Sequence, residues 1–159
     1  MPTSDIPLSQ AVKEGLSLNF GQLNTALTYF TDELIGQGLW DKVSLVVVSD
    51  FGRTLTANSG DGSDHGWGGN YFMMGGAVKG GQIHGQYPPD ITEAGPLNYG
   101  RGRLAPTMSW ESIMNGVVEW MGVEDDAGLD YCLPNRRRTG AKLFSQSDLF
   151  DVSEASGTS

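Results

Sequence analysis

Cysteine, histidine and basic residues are all scarce in this sequence, and each scarcity narrows what it encodes. One cysteine and two histidines occur in 159 residues. A lone thiol, Cys132, makes no internal disulfide, so it leaves the redox compartment open. With no histidine beside it in sequence, it reads as a small buried hydrophobe rather than a nucleophile. Ten Lys and Arg stand against nineteen Asp and Glu, a net charge of −9. That balance argues against a nucleic-acid surface, because phosphate binding needs clustered cations. The only basic run, Arg136-Arg137-Arg138, reads as a solvated turn beside Pro134. No apolar stretch approaches the ~20 residues that span a bilayer. Nor does Met1-Pro2-Thr3-Ser4-Asp5 open a basic-then-apolar signal peptide.

Glycine is abundant instead, at 23 residues, and ten of these fall between Gly60 and Gly85. The surplus is local, so it marks irregular backbone rather than general disorder. The length fits a single domain over 1–159, with a flexible Ser/Gly tail over 151–159. Residues 1–18 are weakly patterned and read as a loop with a short helical piece. From Asn19, the apolar positions Phe20, Leu23, Leu27, Phe30 and Leu34 predict an amphipathic helix ended by Gly36 and Gly38. The β-branched run 43–49 predicts a buried strand. Asn70–Met74 predicts a second short strand and Gln82–His84 a third. Residues 86–107 read as a long ordered loop. Trp110, Ile113, Met114, Val117 and Met121 predict another helix, with Ser109 as N-cap and Gly122 past its end. Residues 123–135 read as loop, and 143–150 as a short final element. A helix, a glycine turn and an apolar strand are half of a βαβ unit. The expected fold is therefore α/β, mostly parallel sheet flanked by helices, with a long glycine-rich loop region.

The chemistry gathers where the first strand ends. Asp50 stands at the strand tip, where a carboxylate serves as metal ligand, general base or helix cap. His65 follows across the glycine-rich loop, flanked by Asp64 and Gly66. A neutral imidazole binds Zn²⁺ well, and an adjacent carboxylate can orient it. Asp50 and His65 are thus the candidate metal ligands for Zn²⁺ or another divalent ion. Arg53, Asp64 and His84 are the candidate supporting or anion-binding residues; Arg53 can equally pair with Asp50. Arg101 and Arg103 read as solvent-exposed. The paired glycines 75–76 and 80–81 carry neither a phosphate-loop nor a dinucleotide fingerprint.

Taken together, Leu45-Val46-Val47-Val48-Ser49-Asp50-Phe51-Gly52-Arg53-Thr54, Asn58, Gly62-Ser63-Asp64-His65-Gly66 and Gly75-Gly76-Ala77-Val78-Lys79-Gly80-Gly81-Gln82-Ile83-His84-Gly85 form a pattern. It resembles the exported domain-of-unknown-function 1501 family, within the alkaline-phosphatase-like (sulfatase-like) superfamily, over roughly residues 20–122. The resemblance implies an α/β sandwich and two-metal cleavage of phosphate or sulfate esters. It aligns Asp50 with a strand-end metal ligand and His65 with a late histidine ligand. Phe51 then stands where many superfamily hydrolases place a second ligand histidine. The family's Phe-Asp-x-His segment, expected before the helix at 19–36, has no counterpart ahead of Asn19. The chain therefore reads as the C-terminal part of an alkaline-phosphatase-like domain, not competent to hydrolyse esters alone. The alternative is a non-catalytic binding or assembly subunit. A degenerate carbohydrate- or anion-binding domain built on Trp67, Tyr71, Trp110 and the arginines is a third, weaker reading. Another protein chain or a second copy is the expected partner. An extracytoplasmic location is implied by the resemblance alone.

Overall fold

The computed structural model describes residues 8–138 and 140–151. The expected tail beyond Asp151 and the first seven residues lie outside that range. The chain forms helix α1 (Leu8–Gly36), a 3-10 turn (Trp40–Lys42), strands β1 (Leu45–Val47) and β2 (Phe72–Met74), and helices α2 (Trp110–Trp120), α3 (Asp126–Cys132) and α4 (Gln146–Leu149). It divides into two compact units. One comprises the residues up to 40 with 48–71 and 89–105; the other comprises 41–47, 72–88 and 106 onward.

Helix α1 begins eleven residues before the expected start, so the weakly patterned segment from Leu8 onward is helical. Ala11, Lys13 and Glu14 are good helix formers, and local propensity carries the helix as far as Leu16, from which the apolar spacing continues to Phe20. Its end follows the glycine logic. Gly38 adopts φ +66°. Its N–H reaches the Ile35 carbonyl at 3.0 Å while the Leu39 N–H reaches Leu34 at 2.8 Å. This bond pair is the Schellman motif, which satisfies carbonyls left over at a helix end.

Mixed helix and strand is what forms, but the sheet is not the expected parallel one. Among the described residues it has two strands, antiparallel, with Leu45 opposite Met74, Val46 opposite Met73 and Val47 opposite Phe72. Parallel neighbours need a crossover connection, commonly a helix. Between β1 and β2 this chain offers only glycine-rich turns. The run expected over 43–49 pairs only through its centre, and Gln82–His84 forms no strand.

The core of the second unit is Val117, Phe144, Leu149 and Phe150, with Val46, Met73, Val78, Ile113 and Trp120 packed on it. The Trp120 and Phe150 rings stack at 4.5 Å and 8°. Gly116 lets α4 approach α2: a Cβ there would stand 2.6 Å from the Ser145 carbonyl oxygen. Ser145 and Asp148 close α4 with a capping box. Helix α3 replaces the loop expected over 123–135; Asp125 caps it by accepting the Gly128 N–H. Two further expectations are reversed here. Cys132 is exposed, at the end of a short helix whose buried residue is Leu129. Arg136 is only 4% exposed: its guanidinium donates to Asp126 and Asp130, and to Asn115 of α2 at 3.0 Å. The basic run is therefore partly a buried, charge-compensated clasp. The carboxylates that neutralise it, Asp126 and Asp130, come from α3, in the segment where the sequence predicts a loop.

Candidate functional site

Asp50, Arg53, Asp64 and His65 sit in the first unit, where three irregular segments are laced by backbone bonds. Residues 52–54 run antiparallel to 64–67. The Gly52 N–H donates to Trp67 O (3.0 Å), the Gly66 N–H to Gly52 O (2.8 Å) and the Thr54 N–H to Asp64 O (3.0 Å). Arg53 and His65 are thereby bridge partners. Only glycine permits this closeness, since a Cβ on Gly52 would stand 1.8 Å from the Gly68 carbonyl oxygen. The segment 97–104 is stitched to both, through Leu55 N–H to Gly102 O (3.2 Å) and Gly68 N–H to Leu104 O (2.7 Å).

Side chains fix the turns between these segments. The Asn58 side-chain Oδ1 accepts the Gly60 and Gly62 N–H groups, while its side-chain amide N–H donates to Asp64 Oδ1 at 2.9 Å. Thr54, buried, accepts the Asp64 N–H on its hydroxyl and donates to the Thr56 carbonyl. Arg101 Nη1 lies 2.8 Å from Asp64 Oδ2. Asn58's hydrogen bond is the largest influence on the Asp64 carboxyl; loss of hydration opposes it, and the Arg101 hydrogen bond with the charges of Arg101 and Arg53 leaves the group below the usual carboxylate range.

Each expected residue has a definite place. His65 is exposed and its ring lies on Phe51, centroids 4.2 Å apart. Asp50 is exposed at the head of the same loop, adjoining Phe51. Arg53 is exposed and in register with His65. Asp64 is engaged by Asn58 and Arg101 rather than open to a ligand. His84 belongs to the second unit, edge-on to Phe144 at 4.9 Å. Among the described residues, no group of three or more His, Cys, Asp or Glu side chains is placed to hold a metal ion.

The sequence reading missed Asn58, Thr54 and Arg101 as organisers of this site. The available signal was the Gly100-Arg101-Gly102 triplet. All three residues have positive φ, at 84°, 58° and 69°. A non-glycine residue there is strained, and such outliers gather at functional sites. The cost is offset by what Arg101 does: its side chain pairs with Asp64, its carbonyl accepts the Thr56 N–H and its N–H donates to Glu93.

A mixed α/β chain with two motif loops clasped edge to edge is the class these observations define. The sequence profile of proteins of unknown function DUF1501 matches residues 10–98, more than half of the chain. The chain belongs to that family. No curated protein and no solved structure matches it. No described helix is long and apolar enough to cross a membrane.

Proposed function

We propose that residues 50–66 form the loop half of an ester-hydrolase site of the alkaline-phosphatase-like, sulfatase-like type, this chain being the C-terminal part of such a domain. The backbone bridge between Arg53 and His65 carries this reading, because it fastens the Asp-Phe-Gly-Arg loop to the Asp-His-Gly loop. Asp50 and His65 are the metal donors in this reading. Phe51 sets the plane of the imidazole, and Arg53 faces the anionic group of a phosphate or sulfate ester. Asp64, pinned by Asn58 and Arg101, fixes the loop that presents His65.

Two donors do not fit a catalytic zinc centre, which takes three protein ligands and keeps one position open. Asp64 supplies no third, since both of its oxygens are engaged. The chain alone is therefore not a hydrolase, and the remaining donors come from a further segment or another chain. An extracytoplasmic setting accompanies the same reading.

The test is complementation. The chain is co-expressed with the segment of a DUF1501 relative that bears Phe-Asp-x-His and assayed with p-nitrophenyl phosphate and p-nitrophenyl sulfate plus zinc. Hydrolysis by the pair, abolished by Asp50→Ala or His65→Ala, is the expected result. A stable pair with no zinc-dependent hydrolysis of either ester overturns the reading. A non-catalytic assembly role is the second reading. It is favoured by the large apolar side chains that helix α1 leaves exposed, Phe20 and Leu16 among them.

A further inference from the structure

Helix α1 presents large apolar side chains to solvent: Phe20 is 63% exposed, Leu16 50% and Leu23 40%, with Phe30 similar. Leu27 and Leu34 are half-buried. Leu16, Phe20, Leu23, Leu27, Phe30 and Leu34 are spaced four, three, four, three and four residues apart. This is the spacing of a coiled-coil seam, in which each side chain seats between four residues of a facing helix. The order of residues along the seam is also a palindrome. Leu16 and Leu34, Phe20 and Phe30, and Leu23 and Leu27 are each equidistant from Thr25.

We infer that α1 is the self-association surface of this protein, pairing antiparallel with α1 of a second copy about a two-fold axis at Thr25. Any seam meets itself in a parallel in-register pair; the palindrome adds like-to-like matching in the antiparallel order, which an arbitrary seam lacks. Leu16 meets the second copy's Leu34, Phe20 meets its Phe30, and Leu23 meets its Leu27. Such an isologous contact is the kind a two-fold dimer requires. Electrostatics favour the same direction. Opposed helix dipoles attract, and Glu33 comes level with Ser17 of the second copy instead of with its own counterpart. Covering two phenylalanines and four leucines on each copy removes on the order of 1,000 Å² in total, the threshold for a specific interface. The inference is independent of the ester-hydrolase reading, since it uses neither motif loop.

Sedimentation equilibrium on the full chain, in a Cys132→Ser background that removes the exposed native thiol, is the experiment. A dimer is expected, and Phe20→Lys or Phe30→Glu is expected to raise its dissociation constant by at least about tenfold, because each sets a charge against an aromatic ring. Mixing the two variants is expected to restore pairing, which separates a lost interface from a misfolded helix. Under oxidation, Leu16→Cys and Leu34→Cys are expected to cross-link when mixed, and neither with itself. A monomeric chain, a Leu16→Cys homodimer, or association untouched by both Phe variants each overturns the inference.

Discussion

The Arg101 guanidinium closes on Asp64 at 2.8 Å, from a residue whose backbone sits at φ 58° between two left-handed glycines. Both side chains are about half-exposed, so the pair itself adds little to global stability. Its consequence is positional: the Asp-His-Gly loop is tied to residues 100–102, and His65 is carried with it.

Asp64 is therefore a reporter of loop order. Its carboxyl lies below the usual range, with the Asn58 hydrogen bond as the largest cause and the Arg101 hydrogen bond and charge adding to it against the opposing loss of hydration. A depressed native pKa contributes stability that is present above the unfolded value, about 3.9, and is lost as pH falls through the native one. Carbon-detected NMR titration of Asp64 is expected to show its pKa rising in Asn58→Ala and in Arg101→Ala. No change in either variant would contradict this account of the loop.

Gly52→Ala is expected to disrupt the motif clasp. Its new Cβ would stand 1.8 Å from the Gly68 carbonyl oxygen, so residues 52–54 and 64–67 cannot keep their register. The measurement is amide hydrogen exchange. Protection at Gly52, Thr54 and Gly66 is expected to fall, while the α2 amides keep theirs.

Gly116→Ala inverts an ordinary rule. Alanine in a helix interior normally stabilises by up to about 1 kcal/mol over glycine. Here the methyl would meet the Ser145 carbonyl at 2.6 Å and Leu149 Cδ1 at 2.8 Å. Overpacking of this kind costs about 1–3 kcal/mol, so urea melts are expected to show net destabilisation.

Arg136→Ala removes a guanidinium that is 4% exposed and leaves the buried Asn115 side-chain oxygen without its donor at 3.0 Å. Lost packing and an unpaired buried acceptor together predict about 2 kcal/mol of destabilisation. Arg137→Ala, whose side chain is mostly exposed, is expected to change stability far less. Equal losses from the two variants would contradict the clasp.

What the sequence disclosed and what it hid follow from the range of the interactions involved. Local signals held where a cap or a period acts alone: the glycine end of α1, the extent of α2 from Ser109, and the short strands around Val46 and Met73. Sheet direction was not legible, because it is decided by how the loop between β1 and β2 returns and not by the β-branched run itself. Arg136 and Cys132 exchanged their expected environments. The reason is one helix, α3, too short to show a period and announced only by the Asp125 cap. At the site, Asp50, His65, Arg53 and Asp64 were visible as residue types. The Asn58 and Arg101 contacts that lock Asp64 were not, since Arg101 approaches from 37 residues downstream by a strained turn.

The central claim is that Asp50 and His65 face one ion as an incomplete donor pair. The most direct measurement is zinc titration of the chain followed at the imidazole nitrogens by NMR, with only two histidines to assign. The account predicts that zinc shifts His65 and not His84, that Asp50→Ala weakens the effect, and that dialysis removes the ion. A His65 ring indifferent to zinc, a response unchanged by Asp50→Ala, or a full equivalent of zinc retained through dialysis would contradict it.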